Sequence, residues 1–314
     1  MKLDEHVYRL AQTATKRAKI PLRQVASRAG VTPASIFSYF GGSIYTQMNA
    51  WVSGFTGIRA EPEIDAGLRI NIGSGSFSVP GWINVDVPSE HYAAVQKDLV
   101  EYDLMKLEPL PFEDGSVDLA YTSHTIEHVT DAAVQNAFTE TFRCLRLGGV
   151  FRITCPNADM YYNAAVRDDD RALSYRFDHW FKKKKVARAN ITALDWLIKA
   201  VASRRNPRAL KLNERTSDLI LDWPTAHEAF HHQAKDEFLD WLVSPLSFDI
   251  QHISGHINWW TSDKIARFLR VAGFTQIGSS SCGTSSSVHM RDLRHFDRTM
   301  PYESLYMEAV KTAA

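Results

Sequence analysis

Apolar positions along this chain follow two rhythms, and the change between them divides it. Through residues 1–55 they recur at helical spacing. Val7, Leu10, Ala11, Ala14 and Ala18 share one face; after Pro21, Leu22, Val25, Ala26 and Ala29 share another, and Gly30 stops the run. Thr32 and Pro33 restart a helix as N-cap and first helical residue. A helix, a glycine turn and a second helix make a helix-turn-helix pattern. Residues 56–67 are polar and read as a linker.

From Leu68 the rhythm changes to short apolar runs broken by turn residues. Strands are predicted at Leu68–Ile72, Trp82–Val85, near Val95–Leu99, at Val117–Tyr121 leading into Thr122-Ser123-His124, and at Val150–Thr154. A helix over about Asp131–Leu147 carries Val134, Phe138, Phe142 and Leu145 on one face, with Gly148-Gly149 as its expected stop. Thr261–Ala272 repeats the helical pattern before Gly273. Phe274–Gly278 and Ser304–Val310 read as closing strands, an antiparallel hairpin at the sheet edge. Strands alternating with helices predict an α/β, doubly wound, Rossmann-like parallel sheet. Residues 158–255 are mainly helical in pattern and too long for a loop, so they read as a helical cap inserted into a domain spanning 68–314.

Composition narrows the class. The 314 residues are 45% hydrophobic, enough for a full core, and the formal net charge is +0, which removes any global argument for nucleic acid or acidic membranes. Charge is local: Lys16, Arg17, Lys19, Arg23 and Arg28 make the N-terminal segment basic, and the cap holds Lys182-Lys183-Lys184-Lys185 among Trp180, Trp196, Trp223 and Trp241. Cys144, Cys155 and Cys282 are too scattered for a disulfide framework or a zinc cluster and suit a reducing compartment. Asp4 and Glu5 stand where a signal peptide needs positive charge, and no run is long enough to cross a membrane. The expectation is a soluble, cytoplasmic protein.

The stretch Leu68 to Asp86, LRINIGSGSFSVPGWINVD, carries the first chemistry. A strand that stops in Gly73-Ser74-Gly75 brings backbone N–H groups up to a ligand, and a carboxylate at the end of the next strand, Asp86, suits a ribose diol. Together they describe a nucleoside cofactor site. A dinucleotide fold needs a third glycine where this chain has Ser78, so that ligand is disfavoured.

The ordered pieces INIGSG, GWINVD, LPFEDGSVDLAYTSHTIEHV and FRCLRLGGVFRITCPN resemble a class I S-adenosylmethionine-dependent methyltransferase, and are especially similar to bacterial small-molecule and saccharide methyltransferases. The resemblance covers residues 66–157, with an echo in 256–310. It implies S-adenosyl-L-methionine as cofactor. Gly73 and Gly75, with Asn71 and Ser74 close by, would meet its methionine part. Asp86 would bind the ribose, Asp103 and Leu104 would flank the adenine, and Ser123 and His124 would face the sulfonium and the acceptor. The N-terminal run VASRAGVTPASIFSYF separately resembles the helix-turn-helix of TetR-type repressors, although Gly41-Gly42-Ser43 departs from that family. Two readings stay open for it: DNA contact, or packing against the catalytic domain or a second copy in a homodimer.

The run His124-Thr125-Ile126-Glu127-His128 also fits H-x-x-E-H, a zinc-peptidase pattern. Zinc there needs both histidines on one helix face, whereas His124 closes a strand, so no metal is assigned; His227, His231 and His232 read as an ordinary helical face. Glu127 and His128 are expected to open the helix that faces the acceptor. Neutral imidazole suits general-base work on a hydroxyl, with His124, His128 and His256 as candidates in that order. Glu127 and Asn258 are candidates for holding the acceptor. The expected reaction is methyl transfer to an oxygen, less readily a nitrogen, of a small molecule or saccharide. The alternative is a DNA-binding regulator whose methyltransferase-like domain senses a ligand.

Overall fold

The computed structural model describes residues 67–88, 99–210 and 219–313. The helix-turn-helix segment, the linker and any DNA or dimer contact made through residues 1–55 lie outside the described residues. Seven strands form one sheet: β1 (Leu68–Ile72), β2 (Ile83–Asp86), β3 (Leu99–Glu101), β4 (Val117–Ser123), β5 (Leu145–Pro156), β6 (Gln276–Ser279) and β7 (Ser304–Val310). Their order is β3-β2-β1-β4-β5-β7-β6. The first five run parallel, and β7 is antiparallel to both β5 and β6. This is the Rossmann-like sheet of class I methyltransferases. The two closing strands pair as a hairpin, but β7 lies inside β6, next to β5, so the edge belongs to β6.

Period-two alternation splits the sheet residues between two faces. Ile70, Ile72, Val85, Ala120, Phe151 and Ile153 join one core with Val134 and Phe138 of α1 (Asp131–Cys144). Leu119, Tyr121 and Val150 face the other way, onto Trp82, Met290 and Phe296. Thr130 caps α1 by accepting from the Ala133 N–H over 3.3 Å. The helix ends at Cys144 rather than Leu147, and Gly148-Gly149 is not its stop. Leu145 is fully buried and already paired with Val117, whereas Val150 pairs with Leu119, so residues 146–149 bulge out of the ladder. Gly148, at φ 78°, donates to Lys311 O over 2.8 Å and keeps the bulge tied to the end of β7.

Between β5 and the last helix the chain runs through α2 (Ala158–Val166), a single turn α3 (Phe177–Trp180), α4 (Ala193–Val201), α5 (Trp223–His232) and α6 (Lys235–Val243). These helices share a separate core of Phe181, Trp196, Leu197, Ile198, Phe238 and Leu242. Adjacent tryptophans join the two cores, Trp259 in the helical one and Trp260 in the sheet one. Lys264 of α7 (Ser262–Ala272) lies over both rings, 4.4 and 4.5 Å from their centroids, and its ammonium bonds Asn258 Oδ1 over 3.0 Å. The path back from cap to sheet is thereby fixed at Asn258 to Lys264. Among the described residues no helix is long and apolar enough to cross a membrane.

Candidate active site

The carboxyl ends of β1, β2 and β4 open into a cavity of about 270 Å³. Open α/β sheets bind ligands at this edge. Gly73, Ser74 and Gly75 form one wall, Asp86 stands beside them, Asp103 and Leu104 form a second, and Ser123, His124, Glu127, His128 and His256 close the far end.

The glycine loop takes its shape from two contacts. Gly73 sits at φ +66°, and its carbonyl accepts from Thr125 Oγ1 over 3.0 Å. A Cβ there would lie 2.1 Å from the Thr125 methyl carbon, so the cradle exists only because residue 73 is glycine. Gly75 donates its N–H to Asp86 Oδ2 over 2.6 Å, and Val87 donates to Oδ1 over 2.7 Å. Burial pushes the Asp86 carboxyl above its ordinary pKa, and these two N–H groups and the nearby His128 pull the other way. An ionised carboxylate has about four acceptor sites, so two remain for donors on a ligand. On the second wall Asp103 caps a short 3₁₀ turn by accepting from Met105 N over 2.9 Å, which presents Leu104 and Met105 to the cavity. Asn71 does not reach this cavity. Its amide donates to Phe77 O at 3.0 Å and to Asn84 Oδ1 at 3.3 Å, so it braces the glycine loop from beneath and lines only a small adjoining pocket.

At the far end the chain leaves β4 through His124, whose φ of 52° lies in the left-handed region that non-glycine residues rarely adopt. The reversal sends Ile126–His128 into a 3₁₀ turn, and α1 begins only at Asp131; Glu127 and His128 therefore precede the helix they were expected to open. His124 Nε2 bonds Ser304 Oγ over 2.8 Å, and its Nδ1 lies 3.0 Å from Glu127 Oε1. Glu127 is 1% exposed, and neither of its oxygens has an aligned hydrogen-bond partner. Burial opposes ionisation of Glu127, but the imidazoles of His124, His128 and His256 outweigh it and hold the pKa at about 2. His128 Nδ1 meets Gly255 O at 3.0 Å, and its Nε2 lies 3.8 Å from Glu127. His256 is buried, with Nδ1 on Ala200 O, and desolvation together with the neighbouring cations lowers its pKa to about 3. Asn258 is buried away from the cavity. Its amide holds Val129 O and Asp131, and its oxygen takes the Lys264 ammonium, so it joins cap to sheet and does not face an acceptor.

Thr125, Tyr102, Phe248, Thr299 and Met300 also line the cavity and were not singled out from the sequence. Thr125 lies inside the H-T-I-E-H run, and its position two residues beyond the strand end is the only signal it gave. Phe248 and Met300 arrive from loops with no periodicity to read.

A family model described as a methyltransferase domain matches residues 83–153, the run that carries Asp86, Asp103, Ser123 and the His124–His128 cluster. No curated protein matches the sequence. Solved structures similar to it include an S-adenosylmethionine-dependent methyltransferase of Thermotoga maritima, described as a possible histamine N-methyltransferase, at 15% identity over 80% of this chain and 84% of that one, TM-score 0.37. Another, from Mesorhizobium loti, is 17% identical over 83% and 97% of the two chains, TM-score 0.36. Human N-acetylserotonin methyltransferase in complex with SAM is 12% identical over 97% and 66%, TM-score 0.35. These likenesses are too distant to carry a substrate across. The sheet order, the cavity at its carboxyl edge and the matched domain define an S-adenosylmethionine-dependent methyltransferase. The glycine cradle and the spare acceptor sites on Asp86 fit that cofactor.

Proposed function

We propose that the enzyme methylates a hydroxyl oxygen of a small-molecule or saccharide acceptor, with residues Gly73 to Gly75, Asp86, Asp103, Leu104 and Ser123 holding the cofactor. Bound S-adenosylmethionine supplies an electrophilic methyl group on a sulfonium, so the protein's task is alignment, exclusion of water and removal of one proton. The observation that carries the acceptor reading is the buried Glu127 carboxylate between His124 and His128 in the cavity wall. An amine acceptor loses its proton readily once methylated; a hydroxyl benefits from a base during attack. His128 is the best placed of the three histidines. Its Nδ1 is committed to Gly255 O, which leaves the Nε2 lone pair without a hydrogen-bond partner among the described residues, and Glu127, 3.8 Å from that nitrogen, would stabilise the imidazolium formed there. His124 has both ring nitrogens engaged and positions Glu127.

The cap supplies the other surface toward the acceptor. His256 and Met300 also border a small cleft with Trp180, Trp196 and Lys199, where an aromatic face and a cation meet. The test is transfer of labelled methyl groups from S-adenosylmethionine to fractionated metabolite and glycan extracts. Label in an ether linkage, lost in His128→Ala while cofactor binding persists, supports the reading; label only in amines overturns it.

A further inference from the structure

We propose that Glu127, His128 and His256 form a binding site for one divalent transition-metal ion at the acceptor end of the cavity. These are not the ligands of an H-x-x-E-H zinc peptidase. His124 stays outside the set, and the third ligand comes from a residue 128 positions further along the chain than His128, brought there by the return from the cap.

Three observations converge. First, one ligand atom from each residue can be chosen so that all lie within 4.8 Å of one another, and the two imidazole rings meet edge to face with centroids 4.8 Å apart. Tetrahedral zinc with bonds of about 2.1 Å places its ligands about 3.4 Å apart, so small side-chain rotations close the set. Second, both histidines are oriented as metal ligands usually are: Nδ1 of His128 sits on Gly255 O and Nδ1 of His256 on Ala200 O. A backbone carbonyl on one ring nitrogen fixes the tautomer and leaves the other nitrogen's lone pair free to bind. Among the described residues neither Nε2 has a hydrogen-bond partner. Third, the Glu127 carboxylate is buried with only imidazole nitrogens near Oε1, at 3.0 and 3.8 Å, and with no hydrogen-bond partner on Oε2 among the described residues. A buried carboxylate oxygen without a donor costs free energy, and a cation in front of it removes that cost.

The chemistry of the set selects the ion. Two imidazoles and one carboxylate suit zinc, cobalt, nickel or iron(II) and are poor for magnesium or calcium, which take oxygen ligands. Three protein ligands leave a position open, and all three residues line the cavity. A hydroxyl or vicinal diol of the acceptor would complete the shell, so the ion would both orient the acceptor oxygen and lower its pKa. That use rests on the hydroxyl-acceptor reading above; the binding itself does not. With the ion in place, the His128 lone pair serves as a ligand instead of a base, and the acidified hydroxyl would give up its proton to solvent water before attack.

The experiment is calorimetric titration of the full-length, chelator-stripped protein with ZnCl₂ and CoCl₂, with MgCl₂ as the contrasting ion. The expected result is one zinc ion per chain with a dissociation constant at or below about 1 µM. The cobalt form should show the intense visible absorption of a four- or five-coordinate ion, and magnesium should not bind. Glu127→Gln and His256→Gln should each weaken zinc at least about tenfold. The surface variant His227→Gln/His231→Gln should leave it unchanged. Should the buried variants fail to fold, His128→Gln, whose ring is partly exposed, decides the matter. Zinc no tighter than about 100 µM, or binding that survives His128→Gln and vanishes in the His227/His231 variant, overturns the proposal. S-adenosylmethionine binding measured with chelator present tests the methyltransferase reading separately.

Discussion

Gly73 and Thr125 determine each other's conformation: the threonine hydroxyl holds the glycine carbonyl at 3.0 Å, and its methyl occupies the space a Cβ on residue 73 would need. Gly73→Ala therefore meets two independent obstacles, a clash at 2.1 Å and a left-handed φ of +66°. The clash is removable and the φ cost is not. The substitution should weaken S-adenosylmethionine at least about 100-fold, and adding Thr125→Ala should restore part of that loss but leave about 1 kcal/mol, the usual cost of a left-handed alanine. Calorimetry of the two single variants and the double variant checks both statements. Strict additivity would mean that Thr125 does not crowd the loop.

Asp86 has two tasks that different substitutions separate. Its carboxylate accepts from Gly75 N and Val87 N, which shapes the loop, and it keeps acceptor capacity toward the cavity. Asp86→Asn can retain only one of the two backbone bonds, because its amide nitrogen is a donor. Hydrogen bonds to a charged group contribute about 1.5–3 kcal/mol each, so Asp86→Ala should lower cofactor affinity by about 10³-fold or more and Asp86→Asn by less. Equal affinities for wild type and Asp86→Ala would remove the carboxylate from the cofactor site.

The glycine loop and the strand end at Asp86 were far more legible in the sequence than the His124–His128 turn and the cap side of the cavity, for physical reasons. A strand that stops in G-S-G and an aspartate at a strand end are local patterns, and local backbone geometry turns them into a site wherever the sheet forms. The helix end at Cys144 was misplaced because Gly148-Gly149 looks like a stop signal, while the burial of Leu145, a tertiary effect, ends the helix earlier. Asn258 follows the same logic. Its proximity to His256 suggested an acceptor contact, but the direction of its side chain depends on Lys264 and Asp131, which no spacing rule connects to it. His256 was a candidate base from the sequence and does line the cavity, but its convergence on Glu127 depends on the path through the whole cap, which no local pattern encodes.

Arg152 and Asp297 form a fully buried ion pair between β5 and the loop before β7. The guanidinium donates to both Asp297 oxygens, at 3.1 and 2.5 Å, and to Glu308 at 2.8 Å. Removing Asp297 leaves the buried guanidinium with Glu308 as its one remaining carboxylate among the described residues, and breaking a buried pair in this way costs up to about 3–5 kcal/mol. Asp297→Ala should lose about that much stability in urea melts. Arg152→Met combined with Asp297→Leu should lose less than Asp297→Ala alone, since the buried guanidinium is gone and the Glu308 carboxylate left behind still accepts from the Ser286 N–H and hydroxyl. A double variant less stable than either single one would show that the network contributes more than charge balance.

Lys199 offers a test of stability against pH. Its ammonium lies 3.8 Å from the Trp180 ring centroid within the cap. Desolvation first, and then the positive charges of Arg176 and Lys184, lower its pKa to about 8 against the partial opposition of Glu303. A base whose folded pKa lies below its unfolded value of 10.5 leaves the unfolded state holding more protons between the two values, so stability rises with pH across that window. Below pH 8 both states are protonated, and the folded state carries the full cost of the buried charge, at most about 3 kcal/mol by the usual conversion of pKa shift to free energy. Lys199→Met should therefore be more stable than wild type at pH 7. That advantage should shrink as the pH climbs from 8 toward 10.5, as wild type sheds its proton on folding. Urea melts of both proteins at half-unit pH intervals provide the comparison. An advantage that stays constant across the window would place the Lys199 pKa at its ordinary value and the stabilisation in packing alone.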